Sequence, residues 1–202
     1  MRPFQRANPP DFLHQNGSKW GKEYARQKLA NPKYNFKWKT LKGKPLNHHI
    51  EPLLAAQTDD HCSYCDAYPP LKPDNSIDHF LPKGDERFYL LVYEWTNLYK
   101  ACAHCQSCKL DKYDVALLRP DEIGYSFMRY FKYNWIEHTI EPSPDAREED
   151  QQRAFITAEI FGFNHLGQVK SRRLFWRMYA MRNEKEQFEE KDLPFRFTLA
   201  AI

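Results

Sequence analysis

The sequence predicts an α+β fold, with a small metal-stapled core of short strands and one helix flanked by mostly helical N- and C-terminal segments. Three observations lead there. Two Cys-x-x-Cys pairs, Cys62/Cys65 and Cys102/Cys105, enclose 36 residues. Between them, apolar and β-branched residues around Asp78 and His79 run into Pro82, which cannot donate to a ladder and so ends a strand. Outside the pairs, apolar residues recur mostly at helical spacing. The expected organisation is one domain: a basic helical arm over 1–57, the core over 58–114 and a helical extension over 115–202.

In chain order, an amphipathic helix is expected over 18–30, packing Trp20 and Tyr24 inward while Lys19, Lys22, Arg26 and Lys28 stay solvated. Tyr34, Phe36 and Trp38 interleave with Lys33, Lys37 and Lys39. The aromatics are expected in the core and some of the charges on phosphates. Leu46–Gln57 fits a helix leading into the first cysteine pair. After the turn at Gly84-Asp85, the run Phe88–Leu98 fits either a strand or a helical turn. Cys102–Lys112 has no glycine or proline and predicts a helix. Val115–Leu118 is a short apolar patch, and the aromatic-rich residues 125–136 favour strands. Pro142 and Pro144 break the chain before helices expected over Ala146–Phe161 and Val169–Glu190. In the second of these, Leu174, Phe175, Met178 and Met181 form a stripe of the kind used for a core or a partner surface.

Each two-residue spacer lets both sulfurs of a pair reach one ion, so four thiolates are expected to close a tetrahedral structural Zn²⁺ site. Two disulfides would need an oxidising compartment, and residues 1–10 contain no apolar h-region to direct export. A cytoplasmic location is expected. A simple four-cysteine ribbon encloses roughly 15 to 20 residues, so the longer insert leaves room for a functional site. His61 and His104 adjoin the cysteines, but four sulfurs already suffice. Cys108 is expected to be a small buried hydrophobe, and His48 and His49 to be structural.

Within the insert, Asp78 is a hard oxygen donor suited to Mg²⁺ or Mn²⁺. His79, as a neutral imidazole, is a base able to deprotonate water near neutral pH. Neighbours on a regular strand point to opposite faces, so the two serve one site only if the strand is irregular or ending there.

The pattern C-x-x-C, D-H-F-x-P-K, W-x-N-L, C-x-x-C-Q-x-x-K, from Cys62 through Asp78–Lys83 and Trp95–Leu98 to Lys109, resembles the HNH endonuclease superfamily, whose core is the ββα-metal fold. The resemblance implies phosphodiester hydrolysis with His79 as base and Asp78 as metal ligand, and a role for Asn97 in bracing the loop that carries the histidine. It puts Gln106 at the second Mg²⁺ or Mn²⁺ ligand position, where the matching branch of the family has Asn, and puts Lys109 on phosphate. Lys83 is either a phosphate contact or an ordinary exposed lysine. Phe161-Gly162-Phe163-Asn164, followed by the basic run Lys170–Arg173, resembles the nuclease subunit of Septu-type and retron-associated antiphage systems. That likeness implies a defence role with an ATPase partner.

Net charge is +3, but residues 1–50 carry +9, residues 51–140 carry −5 and residues 141–202 carry −1. A basic arm beside a mildly acidic core fits nonspecific phosphate binding, to DNA or RNA alike. No run of 18 apolar residues exists, so no membrane span is expected. The alternatives are a zinc-stapled nucleic-acid- or protein-binding module in which Asp78-His79 is incidental, and a toxin-like ribonuclease acting on tRNA or other RNA.

Overall fold

The computed structural model describes residues 1–68, 76–182 and 188–201. Helix α1 (Asp11–Ala30) begins well before residue 18, because Pro10 at φ −64° sets the backbone for entry and Asp11 places negative charge in the first turn. Gly17 and Gly21 would weaken this helix in isolation. Here they permit close approach, since a Cβ added at Gly21 would lie 2.1 Å from the Leu90 carbonyl oxygen and one at Gly17 3.0 Å from that of Tyr93. The segment beneath them settles the ambiguous run: it forms 3-10 helices over Glu86–Leu91 and Trp95–Asn97.

Strands β1 (Thr40–Leu41) and β2 (Lys44–Pro45) make a minimal hairpin ahead of α2 (Asn47–Gln57). The strand expected at Asp78-His79 is β3 (Ser76–His79), antiparallel to β4 (Leu98–Ala101), with Asp78 opposite Tyr99 and His79 opposite Leu98. Helix α3 (Ala103–Lys109) follows at once and stops short of Lys112, because Leu110 turns to φ 49°. The stretch 125–136 divides into a short helix α4 (Phe127–Tyr130) and β5 (Phe131–Asn134), which pairs with β6 (Thr139–Pro142). Helix α5 (Glu148–Phe161) ends on Gly162 in the left-handed region at φ 63°.

Helix α6 (Leu166–Ala180) corrects the expected Val169–Glu190 span. It starts earlier and ends at Ala180; Glu190–Asp192 is a separate 3-10 turn, and residues 183–187 of the expected span lie outside the described residues. Its apolar stripe is largely exposed, with Leu174 59%, Met178 64% and Met181 84% accessible. The face turned inward instead carries Arg172, which is fully buried and donates to the His138 carbonyl (2.8 Å) and to Asn164 Oδ1 (3.3 Å). Part of the basic run 170–173 is thereby a structural strut.

The β3–β4 hairpin lies between two apolar clusters. Tyr99 and Ala101 join the cysteines, Tyr64, Phe80 and the aromatic residues of α4, β5 and α5. Leu98 and Ile77 face Leu13, Tyr24, Ile50, Leu54 and Val92 under α1 and α2. Alternation along the strands thus feeds both clusters. The arm's aromatics pack as expected: Tyr24 is buried, and Trp20, Tyr34, Phe36 and Trp38 cover the second cluster.

If α1 depends on backbone contact with the Leu90 segment, Gly21→Ala is expected to cost about 2 kcal/mol or more through overpacking. Gly167→Ala, on α6 where an added Cβ meets nothing within 4 Å, is expected to be neutral or to stabilise by up to about 1 kcal/mol. Urea unfolding of both variants separates crowding from helix propensity.

Candidate metal centre and strand-end site

The four cysteines of the two pairs converge, with all sulfurs within 4.8 Å of one another and Cys65 Sγ 3.6 Å from Cys102 Sγ. None is in a disulfide. Two sulfurs bound tetrahedrally at 2.3 Å from one zinc lie roughly 3.8 Å apart, so the spacing fits such an ion. Cys102 also caps α3, accepting from the Cys105 N–H at 3.5 Å. The first pair is fixed from the other side, as the Ser63 N–H donates to the Lys100 carbonyl on β4. Asp66, just beyond Cys65, is clamped by the buried Arg196 guanidinium at 2.7 Å.

Burial and neighbouring sulfurs act on the cluster together. Hydrogen bonding to Cys102 and burial push the Cys65 thiol up, burial chiefly pushes Cys105 up, and sulfur donors hold Cys102 down. Held as four thiolates at this spacing, the sulfurs would need a cation between them. The soft S4 donor set suits zinc, and Cys62, Cys65, Cys102 and Cys105 are the residues that could hold it.

Asp78 and His79 leave β3 on opposite sides, as their contacts record. The Asp78 carboxylate lies in the first cluster, where Oδ2 accepts from the Tyr64 hydroxyl at 2.8 Å and pairs with Lys109 Nζ at 3.2 Å. Lys109 is fully buried and also donates to the His79 carbonyl at 2.7 Å. Burial raises the Asp78 pKa and lowers that of Lys109, and each charge opposes the shift of the other. In this structure the Lys109 ammonium, expected on phosphate, is engaged inside the fold on Asp78 and on the strand end.

His79 faces the second cluster. Its ring stacks on Trp38 (5.6 Å between centroids, 21° between planes) and meets Phe36 edge-on at 5.0 Å. Nε2 lies 2.9 Å from the Val92 carbonyl, so it carries the proton and donates, leaving the lone pair on Nδ1. Burial, followed by the positive charge of Lys83, lowers its pKa from 6.5 to about 3. Asn97 fastens the chain just beyond His79: Oδ1 accepts from the Leu81 N–H at 2.6 Å, and Nδ2 donates to the Leu81 and Leu91 carbonyls at 3.2 and 3.0 Å.

Gln106 donates through Nε2 to the Ile77 carbonyl at 3.3 Å, and Lys83 is exposed at the turn after Pro82. A Mg²⁺ or Mn²⁺ at Asp78 and Gln106 does not fit this arrangement, because a lysine already neutralises the carboxylate and Tyr64 shares the same oxygen. His61 is buried and bonded to the Thr58, Asp59 and Leu193 carbonyls, away from the sulfurs. His49 bonds the Leu41 carbonyl. Cys108 is half-buried rather than a core residue and lies between His104 and His165. The Phe-Gly-Phe-Asn segment has structural work: both phenylalanines are buried, Gly162 ends α5, and Asn164 pairs with the Ile140 N–H (2.8 Å) and carbonyl (2.7 Å).

Sequence reasoning missed Tyr64, inside the first Cys-x-x-Cys, and Val92. The x positions of a metal knuckle carry no signal of their own, and a backbone acceptor has none in the side-chain pattern. Comparison with protein-family models and with curated proteins finds no match to this chain.

The purified chain is expected to carry about one Zn²⁺ at the four cysteines, and Cys62→Ser or chelation to unfold the core, because such binding energy is folding energy. Metal analysis together with circular dichroism checks this. A second expectation concerns pH. The unfolded His79 takes up a proton below about 6.5 and the folded one only near 3, so its share of stability is present above pH 6.5 and is lost as pH falls toward 3, a loss of several kcal/mol. His79→Gln should flatten that part of the urea-derived stability profile relative to wild type.

Proposed function

We propose that the chain is a nuclease of the HNH kind, a phosphodiester hydrolase in which His79 is the base. The observation that carries this reading is the fixed tautomer: the Val92 carbonyl takes the Nε2 proton at 2.9 Å, so the neutral ring keeps a lone pair on Nδ1. A base for activating water needs an unprotonated nitrogen in a set orientation and a pKa near the working pH, which on this reading His79 regains only when the rings that bury it withdraw. The order of strand, strand and helix around four cysteines supports the reading, as does the brace that Asn97 supplies to the chain after His79. No step is assigned to a divalent cation, because Asp78 is engaged by Lys109 and Tyr64.

His79 is only 4% exposed, covered by Phe36 and Trp38. On this reading, the segment bearing them withdraws when nucleic acid binds. Lys33, Lys37 and Lys39 lie in that same segment, and phosphates attract them. The role as effector of an antiviral system with an ATPase partner belongs to the same proposal and rests on the resemblance in sequence. The burial of both Asp78 and His79 favours a second reading, a zinc-stapled binding module without catalysis.

Cleavage of plasmid, single-stranded DNA and tRNA, each with and without Mg²⁺ or Mn²⁺, separates the two. For the nuclease, His79→Ala is expected to slow cleavage roughly 10²- to 10⁴-fold with zinc content unchanged, and Trp38→Ala to speed it. Equal cleavage by wild type and His79→Ala would move the base elsewhere. Binding without cleavage under every condition would favour the module.

A further inference from the structure

Helix α3 presents a second set of metal donors on a face that the four-cysteine cluster does not use. His104 and Cys108 are four residues apart on α3 and therefore share a face. His165 reaches them from the turn after α5. Cys108 Sγ lies 3.6 Å from His104 Nε2 and 3.5 Å from His165 Nδ1, and the three donor atoms are all within 4.8 Å of one another. A sulfur at 2.3 Å and an imidazole nitrogen at 2.0–2.1 Å in one tetrahedral zinc shell are separated by roughly 3.6 Å. Both sulfur–nitrogen distances match that value.

We propose that His104, Cys108 and His165 form a second metal site, taking Zn²⁺ or a similar borderline ion such as Co²⁺. His165 is exposed and the other two are half-buried, so the fourth position opens to solvent. Three protein donors with one open position make an exchangeable site, unlike the closed set of four cysteines.

The turn is shaped for this approach. Gly162 sits at φ 63°, and a Cβ there would come within 2.6 Å of Cys108 Sγ and 3.0 Å of His165 Nδ1. The Gly162 carbonyl now accepts the His104 Nε2 proton at 2.9 Å. A bound ion takes the place of that proton, so His104 switches to the Nδ1–H tautomer on loading. Once filled, the site would fasten the helix that carries Cys105, Gln106 and Lys109 to the turn between α5 and α6.

Native mass spectrometry of the full chain titrated with Zn²⁺ tests this. Wild type is expected to bind one more zinc per chain than His165→Ala or Cys108→Ser. His165 is exposed, so its replacement leaves the fold intact. Mapping iodoacetamide alkylation of Cys108 gives an independent readout: zinc beyond the first equivalent should slow it about tenfold or more in wild type and not in His165→Ala. Equal zinc content in wild type and His165→Ala, or alkylation insensitive to zinc in wild type, overturns the proposal.

Discussion

The convergence of four sulfurs within 4.8 Å is the constraint on which the rest of the core depends. It joins the segment before β3 to the start of α3, fixing where the β3–β4 hairpin and the helix meet. The surrounding contacts do not substitute for it. Ser63 to Lys100, Asp66 to Arg196 and the Cys102 cap each secure one strand of chain to a neighbour, whereas the cysteines secure two distant segments at a point. Four buried thiolates would repel one another, so the arrangement that organises the fold suits a cation held between them.

The hairpin then acts as a partition. Because successive side chains of β3 go to opposite faces, Asp78 enters the aromatic cluster that includes Tyr64, and His79 enters the cluster roofed by Phe36 and Trp38. Burial opposes the charge on Asp78 more than its pairing with Lys109 and the bond from the Tyr64 hydroxyl offset, so its pKa stays raised while that of Lys109 stays lowered. One lysine fixes both the carboxylate and the strand end. The imidazole is treated differently. Its proton is placed by a backbone carbonyl, and its environment is apolar enough to keep it neutral far below its ordinary pKa.

The glycines of α1 and of the α5 end show how backbone proximity replaces side-chain contact elsewhere. Gly21 lets a helix rest on the Leu90 carbonyl, and Gly162 lets a helix end close to Cys108 and His165. In both places the sequence pattern alone reads as a weak spot or a family-like motif. The reason for each glycine lies on another element.

Much of this protein was legible from local chemistry. Matched Cys-x-x-Cys spacing determined a four-sulfur cluster, Pro82 bounded β3, and the interleaved aromatics of the arm packed inward because burying rings outweighs exposing them. Helices α2 and α5 lie within a residue or two of their expected spans, since apolar spacing and the flanking prolines act locally. What local chemistry could not settle were the relations between distant segments. The fate of Phe88–Leu98 was decided by α1 lying across it, and the inward face of α6 by Arg172 finding partners in Asn164 and His138. Lys109 turned inward because Asp78 was there to receive it, and Cys108 stayed at the surface because two histidines, one of them 57 residues away, meet it there. Sequence determines what each side chain can do. Tertiary structure decides what stands opposite it, and charge, burial and hydrogen bonding are properties of that pairing.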